Sequence, residues 1–148
     1  MTTVATSIDN MTLNINEEIR VKSSIEATFA ALLEEIGPAN RGHEDAPMPM
    51  VLEAWPGGRW FRDLGDSNGH LWGHVQAIKR PTLLEITGPL MMSFAVCSNL
   101  QYRLKAVEGG TVLTFTQTAL GLFPDGYREA MAGGWKSFSD RIHKRLHA

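Results

Sequence analysis

The sequence predicts an α+β fold in which one curved antiparallel sheet of about seven strands wraps round a long C-terminal helix. Three observations predict it. Short β-forming segments separated by turn signals fill the middle of the chain, too close together for the crossovers that parallel strands require. A single amphipathic helical pattern follows the first strand, and a much longer one closes the chain.

The first strand is expected over about 12–22, where Leu13, Ile15, Ile19 and Val21 alternate mostly with polar residues. Ser23 and Glu26 have capping-box spacing. Ile25, Phe29, Leu32, Leu33 and Ile36 then recur as one helical face, and Gly37-Pro38 stops the helix. Residues 38–49 carry three prolines without periodicity and read as a long loop, a type that often binds ligands or acts as a lid. Strands are expected at about 50–55, 59–64, 70–79, 83–87, 94–106 and 111–119. Pro56-Gly57-Gly58, the Gly65–Gly69 run, Lys79-Arg80-Pro81, Gly88-Pro89 and Glu108-Gly109-Gly110 form the turns between them. Phe94, Val96, Leu100, Tyr102 and Leu104 share one strand face, and Leu113 and Phe115 share another.

The closing helix is predicted from about Pro124 to Leu146, about 35 Å at 1.5 Å per residue. Tyr127, Met131, Trp135, Phe138, Ile142 and Leu146 form its apolar stripe. Gly133-Gly134 in its middle predicts either a bend or a close backbone approach, because each glycine costs on the order of 1 kcal/mol relative to alanine. No repeat or linker interrupts the chain, so residues 11–148 read as one domain preceded by a frayed segment over 1–10.

Composition narrows the function. The 148 residues are 43% hydrophobic and 20% charged, with 14 Lys+Arg against 16 Asp+Glu and a net charge of −2. That balance lacks the clustered cations that nucleic acids or anionic membranes attract. No run is long and apolar enough to span a bilayer, and the start of the chain has no secretory signal pattern. With one cysteine, Cys97, read as a small buried hydrophobe rather than a reactive thiol, a cytoplasmic protein without disulfides is expected.

The chemical motifs are weak. His70 and His74 are four residues apart on a predicted strand, about 13 Å and too far for one ion, so no metal and no cofactor is expected. His43 reads as a solvated loop residue, and His143 and His147 as exposed helix residues. Neither a serine-nucleophile elbow nor a phosphate-cradling glycine loop occurs. A general acid–base pair would have to come from Glu53, His74 or Glu85, whose carboxylates would need burial in an apolar cavity to gain useful pKa values.

A curled sheet gripping one helix tends to leave a hollow. The residues expected to line it are Phe29, Trp55, Trp60, Trp72, Met91, Met92, Phe94, Leu100, Tyr102, Phe115, Met131, Trp135 and Phe138. Arg59 and His74 are candidate contacts for a polar ligand head, although a surface ion pair is the plainer reading for Arg59. Parity does not decide which of the aromatics at 55, 60 and 72 point inward, because both faces of those strands carry apolar groups. The mouth is expected near loops 38–50 and 88–93.

LNINEEIRVKSSIEATFAALL, WPGGRW, GHVQAIKRPTLLEIT, QYRLKAVEGGTVLTFTQTALG and GGWKSFSDRIHKRL occur in this order over about residues 11–147. Together they resemble the START-like SRPBCC superfamily, and within it the subgroup of homologues of the activator of the ninety-kilodalton heat-shock protein ATPase. The Gly133 addition and the Met- and Pro-rich 38–50 loop depart from the commoner pattern. The resemblance implies the helix-grip architecture of the major birch pollen allergen and a cavity for lipids or other hydrophobic molecules. The leading expectation is therefore a non-catalytic binder of a small hydrophobic molecule. The subgroup implies an alternative, a co-chaperone-like interaction module with a chaperone as partner. A cyclase- or hydratase-type enzyme acting on an aromatic or polyketide-like substrate is the third. A second copy of the chain, in a homodimer, also stands among the candidate partners.

Overall fold

A computed structural model describes residues 8–147. Of the segment expected to fray, residues 1–7 lie outside the described residues, and Ile8–Met11 form a 3-10 turn. Seven strands follow: β1 (Thr12–Val21), β2 (Val51–Leu52), β3 (Arg59–Gly65), β4 (Asn68–Lys79), β5 (Leu83–Gly88), β6 (Val96–Val107) and β7 (Gly110–Gly121). Helix α1 (Ile25–Ile36) joins β1 to the loop before β2, and α2 (Tyr127–His147) ends the chain.

The strands form one sheet in the order β1-β7-β6-β5-β4-β3-β2, and every pairing is antiparallel. The first strand thus closes beside the last while the middle strands run on as hairpins. This is the predicted α+β helix-grip topology. The strand read at 50–55 shrinks to two residues, because the chain turns early at Trp55-Pro56-Gly57-Gly58. Gly57 has φ +83°, and a Cβ at Gly58 would sit 1.8 Å from the Glu53 carbonyl oxygen, so both positions require glycine.

The helix cap differs by one residue from the expected box. Ser24, not Ser23, accepts the Ala27 N–H at 3.1 Å. Ser23 instead donates from Oγ to the Leu146 carbonyl, and its own carbonyl accepts from Thr111, which ties α1 to the end of α2. Trp60, Phe115, Leu100, Ile86 and Leu84 from the inner sheet face, with Leu32 and Ile36 of α1 and Phe138 and Ile142 of α2, make the core. The outer face carries Asn14, Asn16, Thr114, Thr116, Thr118, Gln101 and Arg103 at the intervening positions, as a sheet solvated on one side should.

Candidate functional site

The space between the inner sheet face and α2 is where the expected ligand cavity should lie. Register puts Tyr102 opposite Phe115 and Leu100 opposite Gln117. Helical periodicity brings Met131, Trp135, Phe138 and Ile142 down onto them. The result is an aromatic cluster: ring centroids lie 4.4 Å apart for Phe115–Trp135 and 5.8 Å apart for each of Tyr102–Phe115, Tyr102–Phe138 and Trp135–Phe138. These side chains fill the hollow they were expected to line, which corrects the expectation of a preformed cavity. Two depressions, of about 460 and 490 Å³, lie elsewhere. One is on the outer face near Arg20 and Arg103, and the other is between α1 and β2.

The loop between β5 and β6 closes the near end. Leu90 and Met92 are fully buried, Met91 and Phe94 are half-buried, and Leu90 N–H donates to the Trp72 carbonyl at 2.7 Å. Leu90 holds φ +60°, an uncommon conformation for a bulky residue. Phe94 lies before β6 rather than within it, and packs edge-on against Phe123 at 5.7 Å and Tyr127 at 5.1 Å. On α1, Phe29 is buried toward the same core.

The tryptophans divide as parity could not foretell. Residue 72 is the extra residue of a bulge, since Trp60 pairs with Gly73 while Phe61 pairs with Leu71. The bulge turns Trp72 to the same side as Trp60, and the two rings meet at 5.0 Å. Their indole N–H groups donate to the Ile36 carbonyl and to His70 Nδ1. Trp55 is 57% exposed and lies beyond the end of β2, so it lines no interior.

Arg59 and His74 are also misplaced as ligand contacts. They face each other across β3 and β4 on the outer face, both exposed. Arg59 grips Glu53 through Nε–Oε1 at 2.7 Å and Nη2–Oε2 at 3.0 Å, and its side-chain and backbone hydrogen bonds hold that carboxyl at about 2, below the ordinary 4.5. Glu85 accepts from Asn99 at 2.6 Å, likewise on the outer face. The suggested acid–base groups therefore do not reach the interior. Cys97 is exposed rather than buried, because its position on β6 points outward, opposite the half-exposed Leu120. Among the described residues, no group of three or more His, Cys, Asp or Glu is placed to hold a metal ion, and no helix is long and apolar enough to cross a membrane.

The inner face does hold polar groups that went unselected. Ser98 and Gln117 are buried, and both occupy in-facing positions: Ser98 lies two residues before Leu100, and Gln117 lies two after Phe115. A polar residue in phase with an apolar alternation was the signal available. Gln117 Oε1 accepts from Trp135 Nε1. Its Nε2, together with Ser98 Oγ and Tyr102 Oη, has no protein partner although buried. Burial pushes the Tyr102 hydroxyl far above its ordinary pKa, so it stays protonated and available as a donor. A buried donor left unpaired costs about 1–3 kcal/mol.

The model of the Activator of Hsp90 ATPase homolog 1-like protein family matches residues 46–147. The chain belongs to this family. The match takes in β2 to β7 and all of α2, and the fold carries the SRPBCC classification. No curated protein matches the chain in sequence. Among solved structures, it is similar to an AHSA1-like protein from Aeromonas hydrophila at 19% identity and TM-score 0.64, over 90% of this chain and 94% of that one. A protein from Chromobacterium violaceum aligns at 13% identity and TM-score 0.72, over 91% and 97%. Ara h 8.0201 aligns at 15% identity and TM-score 0.61, over 91% and 97%. At such identities the likeness establishes the fold.

Proposed function

We propose that this family member binds a small hydrophobic molecule between the inner sheet face and the first half of α2, without catalysing a reaction. The observation that carries the reading is how that half is attached. Its buried contact is Met131, its first turn is tied by Arg128 Nη2 to the carbonyls of Asp9 and Thr12, and Gly133-Gly134 separates it from Trp135 and the rest. A guest entering there displaces flexible methionines and Leu90 rather than breaking a charged lock, and thioether side chains repack readily. The buried inner face offers hydroxyls and an amide, whereas the one buried carboxylate among the described residues, Glu35, is engaged by two arginines. That lining supports binding over acid–base chemistry.

The test is a titration with the uncharged dye N-phenyl-1-naphthylamine, read by dye fluorescence and by quenching of tryptophan. Saturable 1:1 binding that Met131→Trp weakens at least tenfold is expected. Dye binding that is absent, or indifferent to Met131→Trp, would overturn the reading.

The groove between α1 and β2 favours a second reading, a protein-interaction module. Ala30, Leu33, Pro38, Val51, Leu52 and Ala54 line it beside the short free edge of the sheet, and the family's description names an activator of a chaperone ATPase. Stimulation of a ninety-kilodalton heat-shock protein ATPase that Leu52→Asp abolishes would support this role. A rate unchanged by excess protein would end it.

A further inference from the structure

Ser98 and Gln117 occupy diagonal positions on adjacent strands. Ser98 pairs with Ala119 and Gln117 with Leu100, so their Cβ atoms are within about 7–8 Å on the inner face. Ala119 beside them carries only a methyl group, which leaves the two polar ends little side-chain bulk to share the spot. The Trp135 indole N–H fixes the amide orientation of Gln117, because only the oxygen accepts that bond, and this leaves the NH₂ as the free end. Gln117 Nε2 and Ser98 Oγ are both fully shielded from water and have no protein partner. Both can donate. Neither carries charge, and the buried polar residues nearest along these strands are likewise neutral. Arg128, at the start of α2, gives its Nη2 to two backbone carbonyls toward β1, while its buried Nε has no protein partner.

We propose that the bound molecule carries an uncharged hydrogen-bond acceptor, a ketone-, ester- or amide-type carbonyl, which Gln117 Nε2 and Ser98 Oγ hold from two sides while its apolar body lies against Phe115 and Trp135. This rests on the binding reading above and adds the chemistry of the ligand's polar end. An acceptor is required because the two orphan groups are donors. A neutral one fits because Gln117 and Ser98 donate without charge, so they do not offset the hydration that a carboxylate would lose here. A site built to donate prefers a ketone to an isosteric hydrocarbon, since only the ketone pairs donors that are already sealed from water.

Three probes of matched shape test it: 2-acetylnaphthalene, 2-ethylnaphthalene and 2-naphthoate, titrated against the full chain by tryptophan quenching. The ketone should bind at least tenfold more tightly than either of the others. Ser98→Ala and Gln117→Leu should each reduce that preference to within about threefold. Near-ultraviolet circular dichroism confirms that each variant keeps its aromatic packing. Should Gln117→Leu lose that packing, Ser98→Ala alone decides. Equal affinity for ketone and hydrocarbon would overturn the proposed anchor and leave the binding reading intact, and tightest binding of naphthoate would overturn the neutral head. If none of the three binds, the binding reading itself fails and the anchor with it.

Discussion

The two halves of α2 cover one sheet, yet different forces hold them. Beyond Gly134, Phe138 and Ile142 are buried, and the Glu35 carboxylate, 4% exposed, receives Arg141 Nε at 3.1 Å and Arg145 Nε at 2.8 Å. Ser23 Oγ and the Lys22 N–H add bonds to Leu146 and His147. Before Gly133, the helix rests on Met131, on edge-on contacts among Phe94, Phe123 and Tyr127, and on Arg128 bonded to carbonyls. A buried ion pair with fixed geometry is costly to part, whereas aromatic edges and a thioether slide past one another at modest cost. The molecule therefore has a closed end and an end that yields, and the orphan donors Ser98 and Gln117 lie on the inner face of β6 and β7, where Gln117 meets Trp135 just past the glycine pair.

The largest expected effect is at the closed end. Phe138→Ala should destabilise by about 3–5 kcal/mol, since a fully buried ring leaves a cavity the surrounding aromatics fill only in part. Met131→Ala should cost about 2 kcal/mol, because the adjoining chain is free to settle inward. Urea denaturation measures both, and equal losses would erase the distinction between the halves. Next comes Glu35→Ala, expected to cost about 3 kcal/mol by stranding the largely buried Arg141. Hydrogen exchange on this variant should show faster opening across residues 138–146, with little change at 127–132.

A smaller effect of opposite sign tests the hinge. Replacing both Gly133 and Gly134 with alanine should stabilise the fold by about 1–2 kcal/mol, because helix propensity improves and nothing lies within 4 Å of either added Cβ. That open space also corrects one of the two sequence expectations for this pair: no close backbone approach requires glycine there. If the halves move independently, the double variant should slow binding of N-phenyl-1-naphthylamine several-fold in stopped-flow measurements. An unchanged association rate would show that entry does not use the glycine step.

These contrasts show which parts of the architecture were legible beforehand. The extent of β1, the hairpins from β3 to β7 and the stripe of α2 follow from period-two and period-3.6 patterns and from turn residues, all of them local signals. The Trp72 bulge was not legible, because it depends on how β3 and β4 pair. Burial of Glu35 was not legible either. It lies beside the apolar stripe of α1 and becomes buried only when two arginines more than a hundred residues away close over it. Whether the hollow stands open or filled depends on how nearly α2 approaches the sheet, a property of summed side-chain volume. Ser98 and Gln117 differ from these cases: their in-facing positions are readable from the alternation, but a polar side chain gives no hydrophobic signal of its own burial.

The smallest effect compares the buried carboxylate with an exposed one. Glu53 has a bidentate arginine partner, as favourable in geometry as the contacts to Glu35, but it lies on the outer face where water screens the pair. Its carboxyl, held at about 2 by Arg59, is depressed from the ordinary 4.5. The contribution is therefore fully present above about pH 4.5 and is lost as pH falls toward 2. Glu53→Gln should lower the urea midpoint slightly at neutral pH, and that deficit should vanish as pH falls toward 2, which flattens the acid limb of stability in urea denaturation at successive pH values. A loss at pH 7 comparable to that of Glu35→Ala would mean that burial is not what separates the two carboxylates. The clamp on α2 would then need an explanation other than the exclusion of water around Arg141.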